Sequence, residues 1–276
     1  MAKTRRLIGE NIKLVDVVVE LLDARMPLSS KNGDIDDLIA QKPRLVVLNK
    51  ADLADESANR LWADYFRKKG SGVLMLDSLH AKSMNIVTNK IKEILKEKLD
   101  RQREKGMVNR AVKVMVTGIP NVGKSSFINR LAGRSSAQTG DRPGVTRGKQ
   151  WIRLKSGIEL LDTPGILPPK IGDERTGLRL AWAGSIRDEI LDTEELAAGL
   201  LEYLAGDCGE LLKSRYRLED ISGLSGWELL AAIGKRRGFV ISGGEIDTAR
   251  AASIVLDEFR SAKIGRISLE KPTEGR

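Results

Sequence analysis

The sequence predicts an α/β domain, built on a mostly parallel sheet with helices on both faces, followed by a smaller all-α domain. Two observations support this prediction. Apolar runs alternate with helical patterns up to about residue 168, as in parallel strands joined by helices. Beyond Pro168 and Pro169 only helical patterns follow, so we expect domains at 1–168 and 169–276. The predicted strands, in chain order, are VDVVVELLD, RLVVLNK, GVLMLDS, VKVMVTG and IELLDT.

The predicted helices follow from apolar periodicity and capping signals. One helix begins right after the glycine-rich segment, at SSFINRL, and a longer helical pattern, IVTNKIKEILKEKLDRQREKG, precedes the fourth strand. Ser225 and Glu228 have the spacing of a capping box ahead of an apolar run. In the second domain we expect helices at 177–190, 193–204, 225–233 and about 248–262.

A phosphate-binding loop is the clearest motif. Gly118, four further residues, then Gly123 and Lys124 lie between a predicted strand and a predicted helix, so the loop amides and the helix N-terminus would face a phosphate. The Lys would pair with phosphate oxygens and Ser125 would hold Mg²⁺. A chance glycine loop is the alternative, which the flanking strand and helix disfavour. The candidate phosphate-binding residues are Asn121, Val122, Gly123, Lys124, Ser125 and Ser126.

A base-reading motif follows the second predicted strand. Its residues are Asn49, Lys50, Ala51 and Asp52. A carboxylate only accepts hydrogen bonds, so Asp52 suits the ring N–H and exocyclic amine of guanine, whereas adenine offers no such donor pair. GTP is therefore favoured over ATP, although four residues alone could form an ordinary turn. Asp77 and Ser78, which end the third strand, are further candidates for binding the base.

A magnesium and switch region is predicted downstream of the phosphate loop. Asp162 ends a strand and begins the sequence DTPG, where an Asp orients the Mg²⁺ shell, here through water, and Gly165 senses the terminal phosphate. Thr146, in the turn-rich GDRPGVT, is the candidate switch threonine that closes on Mg²⁺. The alternative for Thr146 is an ordinary surface loop.

The base-reading motif precedes the phosphate loop, the reverse of the order in an ordinary GTPase. In this order of motifs the chain resembles the circularly permuted GTPases of the YlqF/RbgA type. The resemblance extends nearly end to end, through the segments LLDARMPLSSKN, GIPNVGKSS, TGDRPGVT, LLDTPGI, AIGKRRG and SGGEID. The resemblance implies a circularly permuted P-loop GTPase domain with a C-terminal helical domain. It also implies that GTP and GDP bind and that the chain acts on large ribosomal subunit precursors and their rRNA.

The group that orients the attacking water is the open question in the chemistry. Ile166 stands where many GTPases have Gln, so intrinsic hydrolysis is expected to be slow. His80, near the base-binding segment, is interpreted as a solvated loop residue. The resemblance implies a short segment before the position of Met1, and the His that the family usually carries there is a candidate for this catalytic role. Either the start is truncated, or the ribosome, a cation or backbone groups supply this function. Asn121 resembles the asparagine of potassium-dependent GTPases, with a loop-stabilising Asn as the alternative.

Composition and charge limit the partners. The net charge of +9 favours a polyanion such as RNA, because bound phosphates release counterions. With aromatic residues at only 4%, shape and backbone contacts are expected rather than base stacking. Lys90 to Lys113 holds nine basic and four acidic residues, which we interpret first as a solvated amphipathic helix. Without a long apolar stretch, no membrane association is expected, and we expect a cytoplasmic monomer.

Two functions remain open from the sequence. The first is a GTP-hydrolysing assembly factor of the large ribosomal subunit that is accelerated by that subunit. The second is a nucleotide-gated RNA-binding module with little turnover, suggested by Ile166. An ATP-dependent enzyme is disfavoured by Asp52.

Overall fold

The computed structural model describes residues 2–39, 42–77, 84–107, 110–133, 151–162, 173–186 and 192–272. Its strands are Val17–Asp23 (β1), Arg44–Asn49 (β2), Gly72–Leu76 (β3), Val112–Thr117 (β4), Trp151–Arg153 (β5) and Ile158–Asp162 (β6). Its helices are Ala2–Ile12 (α1), Gly33–Ile39 (α2), Glu56–Lys68 (α3), Asn85–Ile94 (α4), Lys96–Glu104 (α5), Lys124–Ala132 (α6), Glu174–Trp182 (α7), Thr193–Tyr216 (α8), Gly226–Arg237 (α9) and Thr248–Arg260 (α10).

The strands form one sheet in the order β3-β2-β1-β4-β6-β5. Every pairing is parallel except that of β5 with β6. All seven residues of β1, the third strand in this order, are buried, which explains its nearly continuous apolar sequence. The predicted α/β class with a mostly parallel sheet and a helical C-terminal region is confirmed.

The chain forms two compact units. The first comprises residues 1–52, 56–171 and 270–276, and contains the sheet. The second comprises residues 53–55 and 172–269, and contains α7 to α10. The chain therefore passes from one unit to the other not only after residue 171 but also around residues 53–55 and before Glu270.

The second unit is built around α8, which packs against α9 and α10. Gly226, the first residue of α9, allows the closest approach, because an added Cβ would lie 2.0 Å from the carbonyl oxygen of Ala198. The predicted capping box is confirmed: the backbone N–H of Ser225 donates to Glu228 Oε2 at 2.7 Å, and the Glu228 N–H donates to Ser225 Oγ at 3.3 Å.

Several helix boundaries differ from the sequence predictions. Helix α7 ends at Trp182 rather than 190, because Gly184 adopts a left-handed conformation with φ of 75° and closes the helix. Helix α8 continues beyond 204 to Tyr216 through a kink at Cys208, and its last turns bury Leu212 and Tyr216. The single helix expected before β4 is interrupted at Leu95, which leaves helical geometry with its side chain buried.

Candidate functional site

The candidate site lies along one edge of the sheet. In parallel strands the carboxyl ends share an edge, and in open α/β sheets ligands bind outside those ends. The strands β1, β2 and β6 end at Asp23, Asn49 and Asp162, while Asp77 follows β3 and Gly118 follows β4. The topology therefore brings the base-reading motif and the phosphate loop to the same edge, although they are far apart in the chain.

The phosphate loop connects β4 to α6. Asn121 and Gly123 both have positive φ, 58° and 97°, and Gly123 is the N-cap of α6. Successive backbone N–H groups in such a turn, at the positive end of a helix, form a concave anion site. The glycines are required sterically: an added Cβ at Gly118 would lie 2.9 Å from the Leu21 carbonyl oxygen, and one at Gly123 would lie 2.4 Å from Asn49 Nδ2.

The base-reading motif is hydrogen-bonded directly to the phosphate loop. Asn49, which is buried, donates from Nδ2 to the carbonyl oxygen of Val122 at 2.7 Å. Lys50 donates from Nζ to the carbonyl oxygen of Asn121 at 2.9 Å. Two side chains of the base-reading motif therefore hold the main chain of the phosphate loop, so the inverted order in sequence is compatible with one compact site.

The main chain of the base-reading loop is also held on its other side. The Ala51 N–H donates to the carbonyl oxygen of Leu76 at 3.2 Å, and Asn59 Nδ2 donates to the Ala51 carbonyl oxygen at 2.9 Å. The Asp52 side chain, by contrast, is exposed, so a ligand can reach its carboxylate. Asp77, which follows β3, is half-buried beside this loop's strand.

A buried ion pair lies at the end of β1. Asp23 and Arg25 are almost inaccessible, with side-chain exposures of 0% and 1%. Arg25 donates to both carboxylate oxygens, from Nε at 2.9 Å and from a terminal nitrogen at 2.8 Å. Lys50 Nζ lies 3.1 Å from Asp23 Oδ2. Burial by itself would raise the pKa of Asp23, but the charges of Arg25 and Lys50 outweigh it and hold that pKa below its ordinary value.

This ion pair was not among the site residues predicted from the sequence. Its signal was an Asp at the end of an entirely apolar strand followed two residues later by an Arg. A buried carboxylate needs a charged partner, so that spacing at a strand end is informative. Through Lys50, the pair is connected to both predicted motifs.

The residues predicted to hold Mg²⁺ are described in part. Ser125 lies in the first turn of α6 with an exposed side chain. Asp162 ends β6 in register with Val116 of β4, the strand that leads into the phosphate loop. Hydroxyl and carboxylate oxygens are the hard ligands that Mg²⁺ prefers, so this donor set fits the ion. The other residues discussed from the sequence that lie outside the described residues are Met1, Ser78, His80, Thr146, Gly165, Ile166, Pro168 and Pro169.

Two further features concern metals and membranes. Within the described ranges, no group of three or more His, Cys, Asp or Glu side chains could hold a metal ion. Among those same residues, no helix combines the length and apolar character needed to span a bilayer.

The chain is similar to several known proteins. Residues 113–201 match the family described as "50S ribosome-binding GTPase". The chain is 47% identical to "Ribosome biogenesis GTPase A" of Priestia megaterium, over 99% of this chain and 95% of that protein. It is 31% identical to the protein of the same name from Thermotoga maritima, over 99% and 92%. It is 32% identical to "Mitochondrial ribosome-associated GTPase 1" of Mus musculus, over 98% and 88%.

The chain is also similar to two solved structures of YlqF. The chain resembles GNP-bound YlqF from T. maritima with a TM-score of 0.68 and 27% identity, covering 98% of both chains. It resembles the GDP-bound structure of YlqF with a TM-score of 0.69 and 27% identity, covering 97% of this chain and 99% of the other. Both similarities extend over the sheet and the helical unit.

Proposed function

We infer that this chain hydrolyses GTP as an assembly factor of the large ribosomal subunit, because it belongs to the family of ribosome biogenesis GTPases A. The observation that supports this most is the direct bonding of Asn49 and Lys50 to the main chain of the phosphate loop. A guanine-reading motif and a phosphate cradle held together in this way form a single nucleotide site.

In this proposal the phosphate loop binds the nucleotide's phosphates. The backbone N–H groups between Asn121 and Lys124 face the anion at the positive end of α6, and the Lys124 ammonium adds a full charge. Ser125, Thr146 and Asp162 are the proposed residues for Mg²⁺, with Asp162 acting through water. Mg²⁺, when bound, neutralises charge on the phosphate oxygens. Ser126 follows in the same first turn of the helix.

The base is proposed to be read by the Asn49–Asp52 loop. Asp52 accepts hydrogen bonds from the ring N–H and the 2-amino group of guanine, and Asp77 and Ser78 are further proposed residues for binding the base. Asn49 and Lys50 hold the loop in place, and Ala51 shapes its main chain. A site built to accept two donors favours guanine over a base that lacks them, because such a base leaves the Asp52 carboxylate without those two hydrogen bonds.

The catalytic step is proposed to be slow without a partner. Ile166 cannot orient a water molecule, so this function falls to the ribosome, to a cation or to backbone groups. Asn121 is the proposed K⁺ ligand, and Thr146 and Gly165 are the proposed switch residues that close when a γ-phosphate is present. The large subunit would then complete the catalytic site and accelerate the reaction.

The region 169–276 is proposed to contact rRNA. Its α9 ends in Lys235, Arg236 and Arg237. Arg236 bonds Glu219 at 3.1 Å and Arg237 bonds Glu258 at 3.2 Å, so these two cations support RNA contact less than Lys235, whose side chain is exposed. A net charge of +9 supports a polyanionic partner. We also propose that the protein acts as a monomer in the cytoplasm.

The basic stretch from Lys90 to Lys113 supports the RNA proposal less than the basic end of α9 does. Several of its cations bond acidic residues, including Arg101, which bonds Glu97 at 3.1 Å. Lys90 bonds Glu93 at 2.7 Å, and Lys98 bonds Asp16 at 2.7 Å. These pairs favour the interpretation of this stretch as a solvated helical surface.

A change of base preference tests the nucleotide site. Asp52→Asn replaces an acceptor pair with an amide that both donates and accepts, so it should weaken GTP binding and favour xanthosine triphosphate. The control is Asp64→Asn, on the exposed face of α3, which removes a charge of the same kind and should leave the preference for GTP intact. An Asp52→Asn protein that still prefers GTP over the xanthine nucleotide would contradict the proposed base site.

A further inference from the structure

A C-terminal segment holds the main chain that follows Asp52. We call residues Arg266–Glu270 the C-terminal strap. Arg266 donates from Nε to the carbonyl oxygen of Ala54 at 2.8 Å. The Ile267 N–H donates to the carbonyl oxygen of Leu53 at 3.3 Å, and the Ser268 hydroxyl accepts from the Asp55 N–H at 3.1 Å. Each of the three residues after Asp52 is therefore hydrogen-bonded to the strap.

The last residue of the strap is anchored by a buried carboxylate. Glu270 is only 7% exposed and accepts hydrogen bonds from the backbone N–H groups of Leu28, at 2.8 Å, and Ser29, at 3.1 Å. The Ser29 hydroxyl also donates to it. The carbonyl oxygen of Glu270 accepts from Trp62 Nε1 at 3.1 Å. A buried carboxylate with this many donors fixes where the strap ends.

The loop that binds Glu270 returns to the ion pair at the end of β1. The Asp23 N–H donates to Ser30 Oγ at 2.9 Å, and Asp23 in turn contacts Lys50 at 3.1 Å. The base-reading loop is thus held at Lys50 by the phosphate loop and Asp23. On the other side of Asp52, residues of the strap hydrogen-bond to the main chain.

We propose that Arg266 and Ser268 are positioning residues for guanine recognition by Asp52, an inference that rests on the proposed function. Neither side chain needs to touch the nucleotide. A carboxylate that must meet two donors of one base at the same time requires a fixed main chain, and a loop that is ordered before binding loses less entropy when the ligand arrives. The strap fixes the main chain directly after Asp52, so its hydrogen bonds contribute to the selectivity for guanine.

The selectivity between GDP and inosine diphosphate tests this role. Inosine keeps the ring N–H but lacks the 2-amino group, so it loses one of the two bonds to Asp52. In Arg266→Ala/Ser268→Ala two hydrogen bonds to the main chain after Asp52 are removed, so GDP affinity should fall about 5- to 30-fold. Affinity for inosine diphosphate should fall less, so the ratio of the GDP affinity to the inosine diphosphate affinity should decrease. Arg266→Lys, which keeps a cationic donor, should recover part of that preference.

The matched control is Ser253→Ala/Lys271→Ala, which changes an exposed serine on α10 and the exposed residue after the strap. Both affinities should match those of the wild type. If the strap variant fails to fold by circular dichroism, Ser268→Ala alone removes a single hydrogen bond and gives the same comparison.

The outcomes separate this inference from the proposed function. A wild-type protein that binds GDP and inosine diphosphate equally, or neither, would overturn the proposed base site. If the wild type prefers GDP but the strap variant keeps the same ratio of the two affinities, whether or not both fall together, the strap does not position Asp52 and the inference is wrong.

Discussion

The ammonium group of Lys50 donates a hydrogen bond to the carbonyl oxygen of Asn121 at 2.9 Å, across 71 residues of sequence. Lys50 also contacts Asp23, so a single side chain connects the ends of β1 and β2 to the loop after β4. The strand order brings both motifs to one edge of the sheet, and Lys50 then bonds one to the other. If the proposed nucleotide site is right, a change at Lys50 should weaken base reading and phosphate binding together.

Removal of the Lys50 ammonium group should loosen the phosphate loop. A hydrogen bond from a charged donor contributes about 1.5–3 kcal/mol, so Lys50→Ala should weaken GDP binding about 10- to 100-fold. Titration with a fluorescent GDP analogue measures this. Lys68→Ala, at the exposed end of α3, is the control and should bind as the wild type does. Equal affinities in the two variants would show that Lys50 does not hold the loop.

Gly123 should not tolerate a side chain. Its φ is 97°, and an added Cβ would lie 2.4 Å from Asn49 Nδ2, which would break the bond from Asn49 to the phosphate loop. Gly123→Ala should therefore abolish measurable GDP binding while the circular dichroism spectrum is preserved.

The matched control for Gly123 lies at the other end of α6. Gly133 also has a positive φ, of 64°, but a Cβ there would meet nothing within 4 Å. Gly133→Ala should cost about 1 kcal/mol of stability from backbone strain and leave GDP binding intact. GDP binding by Gly123→Ala at wild-type strength would contradict the proposed packing of the two motifs.

The buried ion pair should make stability depend on pH in acid. Because the folded-state pKa of Asp23 is lowered, its contribution is present above the unfolded value of about 3.9 and is lost as pH falls below it towards the folded value. Asp23→Asn leaves Arg25 buried beside a neutral amide and should reduce the free energy of unfolding by about 3–5 kcal/mol at pH 7.

Urea unfolding followed by circular dichroism, at pH 7 and at successively lower pH, measures this effect. The difference between wild type and Asp23→Asn should shrink as pH falls below about 4. The control variant Asp64→Asn, changed at an exposed position, should have the same free energy of unfolding as the wild type at every pH. A difference between wild type and Asp23→Asn that stays constant down to pH 2 would exclude ionised Asp23 as its source.

Close packing of α9 on α8 predicts a stability effect confined to the helical unit. A Cβ at Gly226 would overlap the Ala198 carbonyl oxygen, so Gly226→Ala should force the helices apart and cost about 1–3 kcal/mol. Gly206→Ala, within α8 and with open space around the new Cβ, should be neutral or stabilising because Ala is the better helix former. Thermal unfolding compares the two. Equal melting temperatures would rule out the close approach.

The strands and the two binding motifs were predictable because each depends on local sequence. Buried parallel strands read as apolar runs, and a phosphate loop needs glycines at fixed spacing. The antiparallel strand Trp151–Arg153 was not predicted, because three residues at a sheet edge carry no periodic signal. The break at Leu95 was also missed, since no Gly or Pro marks it and the burial of that side chain depends on tertiary packing.

Long-range polar contacts were the least predictable part of the site. Glu270 bonds Ser29 across 241 residues, and nothing near either residue indicates the partner. The Asp23 and Arg25 pair has a local spacing, yet its connection to Lys50 depends on strand order. Such contacts follow from the fold as a whole, so they could be found only in the structure.

GTP hydrolysis with and without large ribosomal subunits tests the central claim most directly. The purified chain is assayed in K⁺ and in Na⁺ buffer. Large subunits should raise the rate at least about tenfold, equivalent to about 1.4 kcal/mol of transition-state stabilisation, with more activity in K⁺ than in Na⁺. GTP binding without turnover in every condition would contradict the account and would favour a nucleotide-gated RNA-binding module.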